Sequence, residues 1–504
     1  MQNVTEIERK FLAGGEAGTP DWSKLIRGSA PTVQRRALIA TYLDTGDLRL
    51  SRAGITLRRR VGDAEAGWQL EIPVGKDSRQ ELRSHADGDV GDSGGSPPAE
   101  LAGLLRSVLD ERDLRPVAAI GTDRRLLRWS DASGAELLTV VDDRVTARKL
   151  PGRREQHWRE IEVELGPGGG LQLLDRADAM LAAAGIHHSP DASKLARVLG
   201  DRVSHPARGR HAARRTAGSV VMAYIGRQVA AIHRSDVAVR AQLPDAVHQL
   251  RVSCRRLRST LQAYPDVLDR TATEDLAQEL KWLGAVAGHA RDLEVMRARL
   301  SEQLHRLPDQ DLLGPVQRRI AIWFAPRQAQ SSVALLAALD SDRYRALQAR
   351  LDVLMQDPPL TAAAARDARK VLSGRLRKAH RRVRRHLDRA PGNIGADRDV
   401  EWHEARKAAK RLRYAAEAAT PALGSAGARV ARRAKTLQDI LGEHQDAVVS
   451  APVLRALAVA AHGNGENEFA FGVLHGQALA SAPERDSLAV TARKLDTAVH
   501  RLGR

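Results

Sequence analysis

The sequence predicts an α+β multidomain chain, with an antiparallel β domain at the N-terminal end and an all-α domain of two duplicated helical halves after it. Three observations carry this. Residues 4–165 read as short strands separated by turn signals, apolar residues recur at helical spacing from about Thr216 onward, and the helical part contains an internal repeat. At 504 residues the chain exceeds one ordinary core. The expected domains are residues 1–200 and 216–504, joined by an Arg- and His-rich linker at 201–215 that contains Pro206 and Gly209.

In the first domain the spacing predicts strands at Val4–Leu12, Ala37–Leu43, Ile55–Arg60, Trp68–Pro73, Arg124–Ser130, Glu136–Arg148 and Trp158–Leu165. Turn signals such as Gly14-Gly15, Thr45-Gly46-Asp47 and Ser133-Gly134 separate them, and Asp87–Pro98 reads as a loop. Ala99–Asp110, Leu171–Ala184 and Ser193–Leu199 read as helices. In the second domain, breaks between helices are expected at Pro244, Pro265, Pro308, Pro326, Pro391 and Pro421.

The net charge of +18 is unevenly placed. Residues 1–200 hold 29 Lys+Arg against 30 Asp+Glu, which leaves 51 against 32 for the rest. All of the surplus therefore belongs to the helical domain, and it points to a polyanionic partner there. Aromatic residues make up only 3% of the chain, too few for the stacking platforms of single-stranded nucleic-acid binders, so nucleic acid is a disfavoured partner. The single cysteine, Cys254, lies on an apolar helical stripe and excludes an intramolecular disulfide. With no apolar run long enough to span a bilayer and no basic-then-apolar start, a cytoplasmic protein without membrane association is expected.

The repeat aligns His248-Gln-Leu-Arg251-Val-Ser-Cys-Arg255-Arg256-Leu257-Arg258 with His403-Glu-Ala-Arg406-Lys-Ala-Ala-Lys410-Arg411-Leu412-Arg413. A second pair follows in the same order, with Lys281, Leu283, Gly288 and Asp292 matching Lys435, Leu437, Gly442 and Asp446. At about 100° per residue, His248, Arg251, Arg255 and Arg258 fall within about 80° of helix arc, as do His403, Arg406, Lys410 and Arg413. Leu250, Cys254, Leu257 and Leu261 form a separate stripe that can pack inward. Like charges at i, i+3 and i+4 repel mildly, and a polyanion along the stripe would relieve this; a solvated helix face is the alternative. A metal role for the histidines is weaker, because His-x-x-Arg offers one ligand with no partner at i+4.

This doubled segment resembles the CHAD family of α-helical proteins. The resemblance implies binding of inorganic polyphosphate through a basic surface of His248, Arg251, Arg255, Arg258, His403, Arg406, Lys410 and Arg413, with Lys281 and Lys435 added.

In Thr5-Glu6-Ile7-Glu8-Arg9-Lys10-Phe11 a strand puts Glu6, Glu8 and Lys10 on one face and Ile7 and Phe11 on the other. Arg58 with Arg60, and Glu160 with Glu162 and Glu164, repeat the pattern. If the sheet curls into a barrel with these faces inward, carboxylates suited to Mg²⁺ or Mn²⁺ lie beside cations suited to phosphate; a flat sheet with one solvated face is the alternative. The Glu6-x-Glu8-x-Lys10 segment, the stretch Tyr42 to Arg60, Trp158-Arg-Glu160-Ile-Glu162-Val-Glu164-Leu and Ser193-Lys194-Leu resemble the CYTH, or triphosphate-tunnel, enzymes. The resemblance implies an antiparallel β-barrel tunnel with flanking helices and metal-dependent hydrolysis of triphosphate. It assigns Glu6, Glu8, Glu160 and Glu162 to Mg²⁺ or Mn²⁺, and Lys10, Arg58, Arg60, Arg124 or Arg125, and Lys194 to the triphosphate. Glu6, Glu8 and Lys10 are the expected catalytic core. One departure stands out, since in Trp68-Gln-Leu-Glu71-Ile-Pro73 the family usually has lysine where Glu71 stands. The expected function is an inorganic triphosphatase whose helical domain binds polyphosphate, with association to polyphosphate granules expected from it; a non-catalytic polyphosphate-binding or granule-associated protein is the alternative.

Overall fold

The computed structural model describes residues 1–14, 18, 20–26, 28–61, 66–75, 77–84, 96–110, 112–200, 216–390, 396–480 and 485–503. The expected linker at 201–215, most of the loop expected at 87–98, Gly15 and Pro391 lie outside these residues. Two compact units are present, a sheet unit and a helical unit.

The sheet unit is built on β1 (Gln2–Ala13), β2 (Thr32–Asp44), β3 (Thr56–Val61), β4 (Gly67–Pro73), β5 (Ser78–Ser84), β6 (Arg115–Ser130), β7 (Glu136–Lys149), β8 (Glu155–Leu165) and β9 (His187–His188). Their order is β5-β4-β3-β2-β6-β7-β8-β1-β9, and a further β5–β1 pairing closes eight of them into a ring with β9 outside. All pairings in the ring are antiparallel. The sequence pattern left β5 out: Ser78-Arg-Gln-Glu-Leu-Arg-Ser84 has one large apolar residue, and it is strand because it bridges β4 and β1.

In β1 and β8 the charged face points inward and the apolar face outward, the reverse of a sheet with one wet face. Phe11, Leu127, Trp129, Val140, Ile161 and Val163 are buried against Leu173, Leu174, Ala177 and Leu181 of α3 (Gln172–Ala183), which covers the outside of the barrel. Each such side chain contributes about 1.5–3 kcal/mol by leaving water. Two short helices precede it, α1 (Arg49–Ala53) and α2 (Ala99–Leu109). The buried Asp44 carboxylate fixes the start of α1 by accepting hydrogen bonds from the backbone of Thr45, Leu50 and Ser51 at 2.7, 2.9 and 2.9 Å. A last helix of this unit, α4 (Lys194–Leu199), is capped by Ser193, whose side chain accepts from the Ala196 amide at 3.1 Å. Leu195, Val198 and Leu199 pack with the inward-facing Ala40, Tyr42 and Ile120, so α4 delivers Lys194 to the lumen.

The helical unit contains α5 (Ala217–Arg240), α6 (Ala246–Ala263), α7 (Arg270–His305), α8 (Val316–Leu339), α9 (Asp342–Gln356), α10 (Ala368–Arg389), α11 (Ala396–Leu423), α12 (Ser425–His462), α13 (Phe469–Ala480) and α14 (Arg485–His500). Pro244, Pro265 and Pro308 lie between helices as expected. Pro326 and Pro421 do not break theirs, and they sit inside α8 and α11. Both are on exposed positions, where water can take up the carbonyl that loses its donor, and Pro421 falls in the last turn.

The sequence repeat maps onto two helix pairs, α6 packed on α7 and α11 packed on α12, with α6 also against α11. In each pair the motif arginine lies over the repeat glycine of the partner helix. A Cβ on Gly288 would meet Arg251 Nε at 3.3 Å, and one on Gly442 would meet an Arg406 terminal nitrogen at 3.3 Å. The repeat aspartates hold the same arginines, Asp292 at 2.6 Å from Arg251 and Asp446 at 3.8 Å from Arg406. Glycine and aspartate thus recur because each pair must seat one guanidinium.

Candidate functional site

The barrel lumen is lined by charge from every side. Glu6, Glu8 and Lys10 enter from β1, Arg58 and Arg60 from β3, Glu71 from β4, Arg124 from β6, Glu162 and Glu164 from β8, and Lys194 from α4. Glu162 is the hub. It is only 4% exposed, takes a short hydrogen bond from the Lys10 ammonium, and lies 2.8 Å from Lys194 Nζ and 3.5 Å from Arg124. Burial opposes its charge, but Lys10, Lys194 and Arg124 outweigh that and hold its carboxyl well below the usual range. Lys194 also reaches Asp143 and Glu160, each at 3.1 Å, and these three carboxylates carry its pKa well above the ordinary lysine value against the opposing effect of burial. Arg124 is locked by a bidentate pair with Asp143 at 2.9 and 2.8 Å.

Glu8, Glu162 and Glu164 have carboxylate oxygens within 4.8 Å of one another, the one such group among the described residues. Glu8 is buried and ion-paired through Oε1 to Lys10 at 3.3 Å and closely to Arg79. Burial, then the charges of Glu8 and Glu162, push the Glu164 carboxyl up to about 7. An all-oxygen donor set of three converging carboxylates, one of them raised by burial and by its like-charged neighbours, fits a hard divalent cation.

Strand register decides which acids converge. Glu8 stands opposite Glu164 and Lys10 opposite Glu162 across β1 and β8, whereas Glu160 stands opposite Leu12. Of the four expected metal ligands, Glu8 and Glu162 meet, and Glu160 instead supports Lys194 while accepting from the Trp158 indole at 3.3 Å. Glu6 pairs across to β5, opposite Arg79, and lies 3.5 Å from Arg83. Burial and Glu81 push its carboxyl up to about 10. The member that completes the trio is Glu164. Arg125 is also corrected: the lining residues of β6 are Ile120, Thr122, Arg124, Leu126 and Arg128, so Arg125 projects from the other face.

Glu71 is in the lumen and fully engaged. It lies 2.7 Å from Arg58 and 3.2 Å from Arg79 and accepts from Thr56 at 2.9 Å. Burial opposes its ionisation, but Arg58, Arg79 and Lys10 bring its carboxyl down to about 2.

On the helical unit, α6 and α11 bring the two basic stripes together. Arg251, Arg255, Arg406 and Lys410 act on one another, and Lys410 has no ion-pair or hydrogen-bond partner among the described residues. Burial, then Arg406, Arg255 and Arg251, push the Lys410 ammonium down to about 7. Arg255 is oriented by donating to the Tyr414 hydroxyl at 2.9 Å. His248 adjoins this group, its pKa lowered by burial and by Arg291, Arg255 and Arg251 against the pull of Asp245. His403 is held by Gln445 at 2.6 Å. Arg258 continues the stripe and lies near Arg411.

A CYTH domain family model matches residues 5–199, and a CHAD domain family model matches residues 223–455. The chain belongs to the CYTH–CHAD proteins. Over 518 residues it is 36% identical to the uncharacterized protein Rv2226 of Mycobacterium tuberculosis H37Rv, covering 98% of this chain and 97% of that one, and equally to MT2285 of strain CDC 1551. Among solved structures, PptA from Streptomyces chartreusis is 22% identical with a TM-score of 0.45, covering 56% of this chain and 99% of its own. The CHAD domain from the plant Ricinus communis is 26% identical at a TM-score of 0.45, covering 56% and 93%. A putative adenylyl cyclase from Hippeastrum, HpAC1, described as having a dominant triphosphatase activity, is 19% identical at 0.25, covering 38% and 94%.

The CYTH barrel fits a triphosphate tunnel, and it carries more cations than the sequence reading assigned. Arg36, Arg79, Arg83 and Arg128 also line the lumen. The signal for Arg79 and Arg83 was their period-two spacing with Glu81, in a segment too polar to read as strand. In the CHAD domain two expected contributors are taken up by neighbouring carboxylates and a third is exposed. Arg413 is tied to Glu417 at 2.8 Å, a pairing of the i, i+4 kind. Lys435 is exposed and paired with Asp439 at 2.7 Å, and Lys281 is exposed on the face of α7 that carries Gly288. Among the described residues no helix is long and apolar enough to cross a membrane.

Proposed function

We propose that this protein is a divalent-metal-dependent inorganic triphosphatase whose CHAD domain binds inorganic polyphosphate. The observation that carries the first half is the closed lumen in which Glu8, Glu162 and Glu164 converge beside Lys10, Arg124 and Lys194. Glu8, Glu162 and Glu164 would hold Mg²⁺ or Mn²⁺, with Glu6 and Glu160 at the edges of the site. Bound there, such an ion supplies charge neutralisation for phosphoryl oxygens and an acidified water. The protein's own cations do the rest. Lys10, Arg58, Arg60, Arg124 and Lys194 would bind the triphosphate and stabilise the charge that spreads over the transferring phosphoryl group, and their carboxylate partners fix them in advance so that little reorganisation is needed. Catalysis by Glu6, Glu8 and Lys10 is expected to mean positioning of this kind.

The second half rests on Lys410, an ammonium half-buried among arginines whose charges outweigh that of Asp446, with no ion-pair partner among the described residues. A phosphate chain across Arg251, Arg255, Arg406 and Lys410 would offset that repulsion. Association with polyphosphate granules follows from this reading.

The ion is tested by binding rather than turnover. Mn²⁺ titrated calorimetrically into wild type should show a site that triphosphate strengthens, and Glu164→Gln should weaken it by at least about tenfold. Unchanged Mn²⁺ affinity in that variant removes Glu164 from the site. Phosphate release from triphosphate, ATP and thiamine triphosphate under the same conditions ranks the substrates.

One observation favours the alternative of a binding protein with a weakened tunnel, namely that Glu71 neutralises Arg58 and Arg79 in the lumen. Glu71→Gln removes one counter-charge from each guanidinium, leaving Arg79 with Glu8 and Arg58 with Glu81, and is expected to lower the KM for triphosphate several-fold. Weaker binding in this variant would place Glu71 in service of the metal.

A further inference from the structure

The two motif helices are alike in sequence but not in surroundings. Arg256 of α6 lies 3.2 Å from Glu417 and over the Tyr414 ring at 5.7 Å, so its charge is met. Its counterpart in α11, Arg411, has other cations for company. Its pKa is lowered by burial and by Arg382 and Arg258, with Glu404 alone acting the other way. The cationic cluster is therefore closed by a carboxylate on one side and open on the other, toward α10.

On α10 the opening meets a stripe. Lys378, Arg381, Arg382, Arg385 and Arg389 are all exposed, and their spacing of 3, 1, 3 and 4 residues puts them on one helix face. Among the described residues none of the five has an ion-pair partner, whereas their neighbours Arg375 and Arg384 are paired with Asp266 at 2.9 Å and Asp388 at 2.8 Å. The stripe runs for about 16 Å at 1.5 Å per residue. Like charges at i, i+3 and i+4 without compensation are unfavourable on an isolated helix. Arg382 and Arg411 connect it to Arg258 and so to the central cluster.

We infer that the α10 stripe is a second, outer part of the polyphosphate site, and that a chain seated on Arg251, Arg255, Arg406 and Lys410 leaves over Arg258 and Arg411 to run along α10. The inference rests on the polyphosphate reading of the CHAD domain. Polyphosphate is the occupant because the stripe has charge but no aromatic side chain on which a base could stack, and because it continues the central cluster. Short chains fill the central cluster alone; long chains use both parts.

The test is equilibrium binding of size-fractionated polyphosphates to the full chain, wild type against Arg381→Ser/Arg382→Ser/Arg385→Ser, with circular dichroism as the check on folding. For long chains the variant is expected to bind about tenfold or more weakly, with the log–log salt slope reduced by about 2. For chains of a few phosphates it should match wild type. Equal loss at both lengths, or no loss at the long one, overturns the inference. Loss of duplex DNA binding with polyphosphate binding intact overturns it also, in favour of a nucleic-acid surface. Failure of wild type to bind either length would instead remove the underlying polyphosphate reading.

Discussion

Replacing Glu162 with glutamine is expected to reduce triphosphate hydrolysis by about 100-fold or more and to destabilise the CYTH domain. The carboxylate is buried, meets Lys10, Lys194 and Arg124, and belongs to the acidic trio, so one substitution removes both a metal ligand and the common counter-ion of three cations. Breaking a buried pair from one side costs about 3–5 kcal/mol, and the lower end applies here because Asp143 and Glu160 still meet Lys194. The pH dependence has a definite sign. The folded-state pKa of Glu162 is depressed, so its stabilising contribution is complete above the unfolded-state value near 4.5 and is lost as pH falls toward the folded-state value. Wild type should therefore lose thermal stability on acidification below about pH 4.5 more steeply than the glutamine variant. Parallel melting curves over that range would show that Glu162 is not the hub of the lumen.

The second large effect concerns the CHAD cluster. Substitution of Arg251, Arg255, Arg406 and Lys410 together by alanine is expected to weaken polyphosphate binding several hundredfold, at about 1 kcal/mol per charge-assisted contact after screening. The log–log salt slope should fall with the number of phosphates no longer contacted. Lys410 adds a protonic signature. Its folded-state pKa is lowered to about 7, so the free protein carries it partly neutral at neutral pH, and an arriving phosphate chain raises the pKa. Binding at pH 7–8 should thus take up protons from the buffer and tighten as pH falls toward 6. Without ligand the same depression makes this group's contribution to stability increase with pH between about 7 and the unfolded lysine value near 10.5. Lys410→Met should abolish the proton uptake while retaining part of the affinity. Proton uptake unchanged in that variant would assign it to another group.

Seven of the eight ring strands were legible from strand-forming residues bounded by turn signals, with charged and apolar residues alternating along β1 and β8. The exception, β5, has Leu82 as its one large apolar residue and owes its state to the strands on either side, which no local pattern reports. Alternation alone left open whether the charged face was wet or enclosed. Ring closure settled it, with Phe11, Ile161 and Val163 outside against α3 and Glu8, Glu162 and Glu164 within. Glu6 and Glu8, or Glu160 and Glu164, are equivalent in a strand read by itself, and only the register across β1, β5 and β8 tells them apart. In the helical unit the repeat identified α6 and α11 and the arginines that meet. What it could not give was the neighbour on the next helix, such as Arg382 beside Arg411. Arg413 is the opposite case, since Glu417 stands four residues on and the pairing could have been read directly.

Phosphate release from inorganic triphosphate, measured with wild type in Mg²⁺ or Mn²⁺, after chelation, and with Glu8→Gln, bears most directly on the reading of the tunnel. Turnover is expected with the ion present, to vanish on chelation, and to fall by about 100-fold or more in Glu8→Gln with the folded state retained by circular dichroism. Metal-independent release, or full activity in Glu8→Gln, would contradict the account.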